Sequence, residues 1–191
     1  TSGTWDLSTQ AITDQAGQVV HIDKTTIQDV TITNNGTIWS TENNAIEMDV
    51  TTTSNTATIT NNTDATIRSD STATDEAAVV IKDTTGTLNI TNAGSMTGPN
   101  GLIVDNSIIT FTNTGTVNAT VGEAILLKDN AFVNLTNTGT MSGIKGININ
   151  GTTYDVNNPS GEEMLMTAAG CDSIVLVNLV FEDAFQTNLT E

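Results

Sequence analysis

A nine-residue pattern recurs along this chain and leaves few folds open to it. Its fullest copy is Val133-Asn134-Leu135-Thr136-Asn137-Thr138-Gly139-Thr140-Met141. Close copies start at Val30, Leu88 and Ile109, and a looser one spans Ala57 to Ile67 with Thr-Asp-Ala in place of the glycine. The matching asparagines are Asn34, Asn61, Asn92, Asn113 and Asn137, separated by 27, 31, 21 and 24 residues. A period of this size marks a solenoid, in which each unit cannot bury its apolar face alone and must stack on its neighbours.

Within each copy the apolar residues alternate. Val30, Ile32 and Asn34 fall on one side and Thr31 and Thr33 on the other. A period of two with β-branched residues means strand, not helix. The glycine two residues after the asparagine is expected to turn the chain with a positive φ. A second strand follows, anchored by Ile38, Ile67, Met96, Val117 and Met141. A third closes each repeat at Ile46–Asp49, Val79–Lys82, Leu102–Asp105, Ile125–Lys128 and Ile147–Asn150, with Val20–Asp23 in the same column. Three strands per repeat predict an all-β, single-domain parallel β-helix (β-solenoid) of five to six rungs. An antiparallel sandwich also uses many short strands, but it would not need one motif at the same place in every repeat.

The solenoid is expected over residues 1–156, with 1–29 as an N-terminal entry or cap in which Trp5, Leu7 and Ile12 cover the open end. Residues 157–191 form a C-terminal cap or subunit-joining segment. There, Asn158–Gly161 reads as a turn and Glu162–Ala169 as a short helical cap with Met164, Leu165 and Ala168 inward. The run from Ile174 to Phe181 is almost unbroken apolar and calls for burial on both faces.

Stacking the repeats about 4.8 Å apart turns the sequence into columns. The asparagine column, Asn34, Asn61, Asn92, Asn113 and Asn137, is inward by parity and is expected to form a structural ladder of amides. A second column, Asp23, Asp49, Lys82, Asp105, Lys128 and Asn150, alternates in charge from Asp49 to Lys128 and suits register control. Its alternative use is a calcium site with Asp83 and Asp129, although no Gly-Gly-x-Gly-x-Asp repeat is present. A third column, His21, Glu47, Val80, Ile103, Leu126 and Asn148, faces outward by parity. Val80, Ile103 and Leu126 would then form an exposed apolar stripe, an interaction surface that Ile174, Leu176, Leu179 and Phe181 either cover within the chain or engage on a neighbouring subunit.

Composition narrows the function classes. The formal charge is −17, from 22 acidic and 5 basic residues. That balance excludes a phosphate-tracking surface and so argues against nucleic acid. No apolar run approaches the roughly 20 residues that span a bilayer, so no membrane insertion is expected. The chain starts Thr-Ser-Gly, which suggests a removed leader or a fragment. Cys171 is the only cysteine and His21 the only histidine, so neither a disulfide framework nor zinc spacing exists; Cys171 is expected to be a small buried residue. No Gly-x-Ser-x-Gly elbow is present. Glycosidic cleavage needs two carboxylates across a cleft, and the best place for them is the insertion 68–76, with Asp70, Asp75 and Glu76. Aromatic surface to stack sugars is scarce, and no catalytic residue or cofactor is expected. Seven Asn-x-Ser/Thr sequons occur, as expected by chance in a chain with 38 Thr and 22 Asn.

The Thr-Asn-x-Gly-Thr-apolar repeats over about residues 20–151, each followed by a short Ile/Leu/Val strand, resemble the passenger regions of bacterial autotransporter and filamentous-haemagglutinin-type surface proteins. The resemblance implies a right-handed β-helix, export to the extracellular surface and a role in adhesion. The expected function is that of a non-enzymatic surface protein, either a filament subunit whose partner is itself or an adhesin for a cell-surface glycan or protein receptor. The alternative is a polysaccharide-acting β-helix enzyme.

Overall fold

The computed structural model describes residues 3–7, 12–14, 19–23, 29–49, 56–84, 86–149, 151–155, 157–166 and 172–178, with side-chain environments for 19–22, 29–49, 56–84, 86–149, 151–155 and 157–162. Three parallel sheets run the length of a β-solenoid. Sheet A stacks β1 (Gly3–Leu7), β4 (Asp29–Asn34), β7 (Thr56–Asn61), β10 (Thr87–Asn92), β13 (Ile108–Asn113) and β16 (Phe132–Asn137). Sheet B stacks β2 (Ile12–Asp14), β5 (Thr37–Ser40), β8 (Thr66–Ser69), β11 (Ser95–Gly98), β14 (Thr116–Ala119) and β17 (Thr140–Ser142). Sheet C stacks β3 (Val20–Asp23), β6 (Ile46–Asp49), β9 (Ala77–Lys82), β12 (Asn100–Asp105), β15 (Glu123–Lys128) and β18 (Lys145–Ile149). The repeats lie in register, with Leu88 opposite Ile109, Ile90 opposite Phe111 and Asn92 opposite Asn113.

The inward residues are those the alternation selects. Ile32, Ile59, Ile90 and Phe111 stack in one column of the core, and Ile38, Ile67, Met96 and Val117 in another; none is more than 1 % exposed. The first 29 residues do more than close an end. Their strands β1, β2 and β3 build a further rung, pairing in parallel with β4, β5 and β6. The side chains of Trp5, Leu7 and Ile12 lie outside the described ones.

Beside the core, the asparagines are hydrogen-bonded from rung to rung. Each Nδ2 donates to the next Oδ1: Asn34 to Asn61 at 2.8 Å, and Asn61 to Asn92, Asn92 to Asn113 and Asn113 to Asn137 at 2.7 Å. The same amides donate to strand carbonyls of sheet B, at Thr66, Ser95, Thr116 and Thr140. Both N–H groups of a buried amide are thereby used, which removes the desolvation cost that an inward asparagine would otherwise carry.

The turn glycines work differently from the sequence expectation. Gly151 is the only described glycine with positive φ, at 95°. At Gly94, Gly115 and Gly139 the constraint is contact between rungs. A Cβ on Gly115 would lie 2.1 Å from the Gly94 carbonyl oxygen, and one on Gly139 would lie 2.1 Å from that of Gly115. Left-handed residues occur at the opposite corner, after sheet C, at Asp83, Asn106 and Asp129 with φ of 47°, 44° and 44°. Asp and Asn tolerate that conformation best among residues with a side chain.

The C-terminal end departs from the parallel plan. β19 (Thr152–Tyr154) turns back and pairs antiparallel with β18, Ile147 opposite Tyr154. Tyr154, 2 % exposed, packs into the core there. Residues 162–166 are not the helical cap expected there, and 167–169 lie outside the described residues. β20 (Ser160–Met166) pairs antiparallel with β21 (Asp172–Asn178), Met164 opposite Ile174 and Glu162 opposite Leu176. A helix of two turns is marginal by itself, whereas residues 172–178 offer 160–166 a full ladder of backbone partners. Ala168, Cys171, Leu179 and Phe181 lie outside the described residues.

Candidate functional site

Two surfaces carry polar groups in unusual settings: the outer faces of sheets C and B. On sheet C, register places His21, Glu47, Val80, Ile103, Leu126 and Asn148 in one outward column. The expected exposed stripe is absent. Val80 is 0 % and Ile103 2 % exposed, and Leu126 is partly buried against them, in a small cluster with Ala77 separate from the main core. Parity assigned their direction correctly, but this face of the sheet is itself buried, as in parallel sheets covered on both sides. Ile174 and Leu176 lie on β21, and their side chains are outside the described ones.

Polar groups flank the cluster at both ends. Glu47, 8 % exposed, accepts from Asn44 Nδ2 at 2.7 Å and pairs with Lys82 Nζ at 3.2 Å. Glu123, 7 % exposed, pairs with Lys145 Nζ at 3.1 Å and accepts from Asn148 Nδ2 at 3.5 Å. Each buried carboxylate thus has a cation and an amide, which offsets its desolvation. These pairs were not legible as repeats, because Asn44, Glu47, Glu123 and Lys145 each depart from the column they occupy.

The alternating column behaves differently from its sequence reading. Lys82 stands between Asp49 and Asp105 in register, yet its ion pair runs to Glu47. Asp105 is held above the ordinary carboxylate range, first by burial and then by Asp129, with Lys128 acting in the opposite sense. At the adjoining corner, Asn106 Nδ2 donates to Asp83 Oδ1 at 2.6 Å. Asp83 and Asp129 therefore serve the turn, and among the described residues no group of three or more His, Cys, Asp or Glu is placed to hold a metal ion.

Sheet B carries the groove. Its outward column runs Trp39, Arg68, Thr97, Asn118 and Ser142. Because rungs are about 4.8 Å apart, Arg68 lands on its neighbour, with the guanidinium carbon 5.4 Å from the Trp39 ring centroid. Asp70 joins the two. Its Oδ1 accepts from Arg68 Nε at 2.5 Å and its Oδ2 from Trp39 Nε1 at 2.9 Å.

Residues 70–76 link β8 to β9, a longer connection than those of the two rungs that follow. The extra residues form a loop at the end of β8. Asn100, fully buried, fastens it from the next rung by donating to the carbonyls of Thr74 and Glu76 at 2.9 and 2.8 Å. Beside this loop is an open groove of about 570 Å³, lined by Arg68, Asp70, Ser71, Thr72, Thr97 and Thr120 among others. Of the three insertion carboxylates, Asp70 lines it but is engaged by Trp39 and Arg68; Asp75 and Glu76 are not among its lining residues. Sequence reading overlooked Trp39, Thr97 and Asn100. Counting along the register, which puts Trp39 over Arg68, was the one signal able to find the pair.

No family model, curated protein or solved structure matches this chain.

Proposed function

We propose that this chain is the solenoid of an extracellular, non-catalytic surface protein, of the autotransporter and filamentous-haemagglutinin kind, that assembles with copies of itself through its last complete rung. One observation carries this reading. Among the described residues, β16 and β17 end sheets A and B with no further strand beyond them. Leu135 and Met141 are there only half-buried, although the equivalent Phe111 and Val117 one rung earlier are 0 % exposed. Phe132 is 37 % and Ile144 73 % exposed. Asn137, which ends the amide ladder, is exposed and, among the described residues, donates only to the Gly139 carbonyl, at 3.3 Å.

An edge with unpaired N–H and C=O groups and apolar side chains is a template for another strand. A strand with the pattern apolar-x-apolar-x-Asn continues both the core column and the ladder; the edge strands of sheet A in a second copy are β16, which has this pattern, and β1, which sets Trp5 and Leu7 at the second apolar and the asparagine positions. A second copy is therefore the occupant that fits. If the contact does not close on itself, the product is a fibre.

Light scattering and negative-stain microscopy over a concentration series test the proposal. The native chain is expected to associate as concentration rises. Leu135→Lys, at a half-exposed position that a monomer tolerates, is expected to remain monomeric. Native protein that stays monomeric and monodisperse at every concentration refutes the reading, as does a Leu135→Lys variant that assembles like the native chain.

A further inference from the structure

We propose that the sheet B groove binds a carboxylate-bearing sugar, with Arg68 as its anchor. Among 5 basic and 22 acidic residues, Arg68 is the only arginine. Lys82 and Lys145 are tied to buried carboxylates. Arg68 is committed only in part: its Nε is bonded to Asp70, and its guanidinium carbon lies over the Trp39 ring at 5.4 Å from the centroid. Its two terminal amino groups have no acceptor among the described residues, and its side chain is 51 % exposed.

This arrangement is preorganised. A cation–π contact and a bonded Nε restrict a guanidinium, so less rotamer freedom remains to be lost when a ligand arrives. The free edge of the guanidinium plane is a fork of parallel N–H donors, which matches the two oxygens of one carboxylate. Asp70 takes the Nε side of the guanidinium and leaves its terminal edge open; its charge lowers the gain from a second carboxylate.

The rest of the lining selects the kind of carboxylate. Ser71, Thr72, Thr97 and Thr120 bring hydroxyl oxygens to the lining; Thr120 Oγ1 donates to the Gly98 carbonyl and Ser71 Oγ accepts from Ala73 N, so these two keep only part of their capacity for a ligand. Val121 is the only aliphatic residue of the lining; the Ser and Thr residues present hydroxyls beside methyl and methylene surface. The groove suits a ring bearing several hydroxyl groups. The formal charge of −17 opposes a densely charged polyanion and favours an isolated sugar acid within a mostly neutral glycan. A single sugar in an open groove is expected to bind with Kd on the order of 1 mM.

The test uses methyl glucuronide and methyl glucoside, which differ in the carboxylate. A Trp5→Phe background leaves Trp39 as the one indole, so its fluorescence reports the site, and heteronuclear NMR locates the shifts. The glucuronide is expected to bind about tenfold more tightly than the glucoside. Arg68→Gln is expected to erase that preference. Arg68→Lys, which keeps the charge but loses the fork, is expected to forfeit most of it. Unchanged circular dichroism in both variants separates a binding loss from unfolding. Equal affinity for the two sugars, a preference that survives Arg68→Gln, or no binding up to about 50 mM would overturn the assignment. The self-assembly assay reads the β16–β17 edge, so either proposal can fail alone.

Discussion

Substitution of Gly115 distinguishes two reasons for keeping a glycine at the turn of each repeat. If the glycine were needed for a left-handed backbone, Asn would be its best replacement, because Asn visits that region at low cost. The geometry gives another reason. A Cβ at this position would lie 2.1 Å from the Gly94 oxygen and 2.6 Å from the Ala93 carbonyl carbon. Both are backbone atoms and cannot rotate away. Restoring ordinary contact opens the two rungs by about 1 Å. Thr116 N now donates to Gly94 O at 2.8 Å, and Gly115 N to Asn92 O at 3.1 Å. An extra 1 Å or so takes such bonds beyond useful length.

Losing one or two buried backbone bonds at about 1–3 kcal/mol each puts the cost of Gly115→Ala at about 3–5 kcal/mol. For a chain of this size that corresponds to roughly 6–20 °C in Tm. Gly115→Asn should be at least as damaging, since it adds the same Cβ and more. Gly151→Ala is the contrasting control. Nothing lies within 4 Å of its Cβ position, so it carries only backbone strain at about 1–2 kcal/mol. The assay is thermal unfolding by circular dichroism on all three variants. An Asn variant that melts near the native protein while the Ala variant is destabilised would falsify the close-approach account.

Three further outcomes follow from the geometry. Asn92→Leu strands the buried Asn113 Oδ1 and Thr116 carbonyl and should cost about 2–4 kcal/mol, whereas Asn137→Leu, at the exposed end of the ladder, should cost well under half of that; urea midpoints compare them, and equal losses would argue against a cooperative ladder. Val80→Ala should destabilise by about 2 kcal/mol, because its side chain is buried on the outer face of sheet C; an unchanged midpoint would return Val80 to the surface. Asp105 has a raised pKa in the folded state, so its contribution to stability is fully present below the ordinary carboxylate pKa and is lost as pH rises through the raised value. Asp105→Asn should therefore be more stable than the native chain near pH 7 and lose that advantage on acidification, and a difference independent of pH would show that Asp105 does not carry it.

Much of the architecture was legible because it is written in short periods. Alternation along a strand depends on backbone geometry alone, so Val30, Ile32 and Asn34 could be turned inward without knowing any neighbour. The repeat length then required those strands to stack in parallel, and inward polar groups required a partner one rung away. The same logic carried Val80, Ile103 and Leu126 to the outer face of sheet C. It stopped there, because direction is a local property and burial is not. Whether an outward residue meets water depends on what chain lies over it.

The sequence by itself determined the strand pattern, the parallel stacking and the asparagine column. Tertiary structure alone decided the rest. It showed that the turn glycines answer to the oxygen of the rung before them, at 2.1 Å, and not to their own φ. It made residues 160–166 a strand by giving them a partner in 172–178. It set Arg68 on Trp39 and bonded both to Asp70, although 29 residues separate the stacked pair in the chain. Local periodicity records what each residue does relative to its own backbone. A groove, a buried ion pair or a close approach is made by residues from different rungs, and only the stacked chain brings them together.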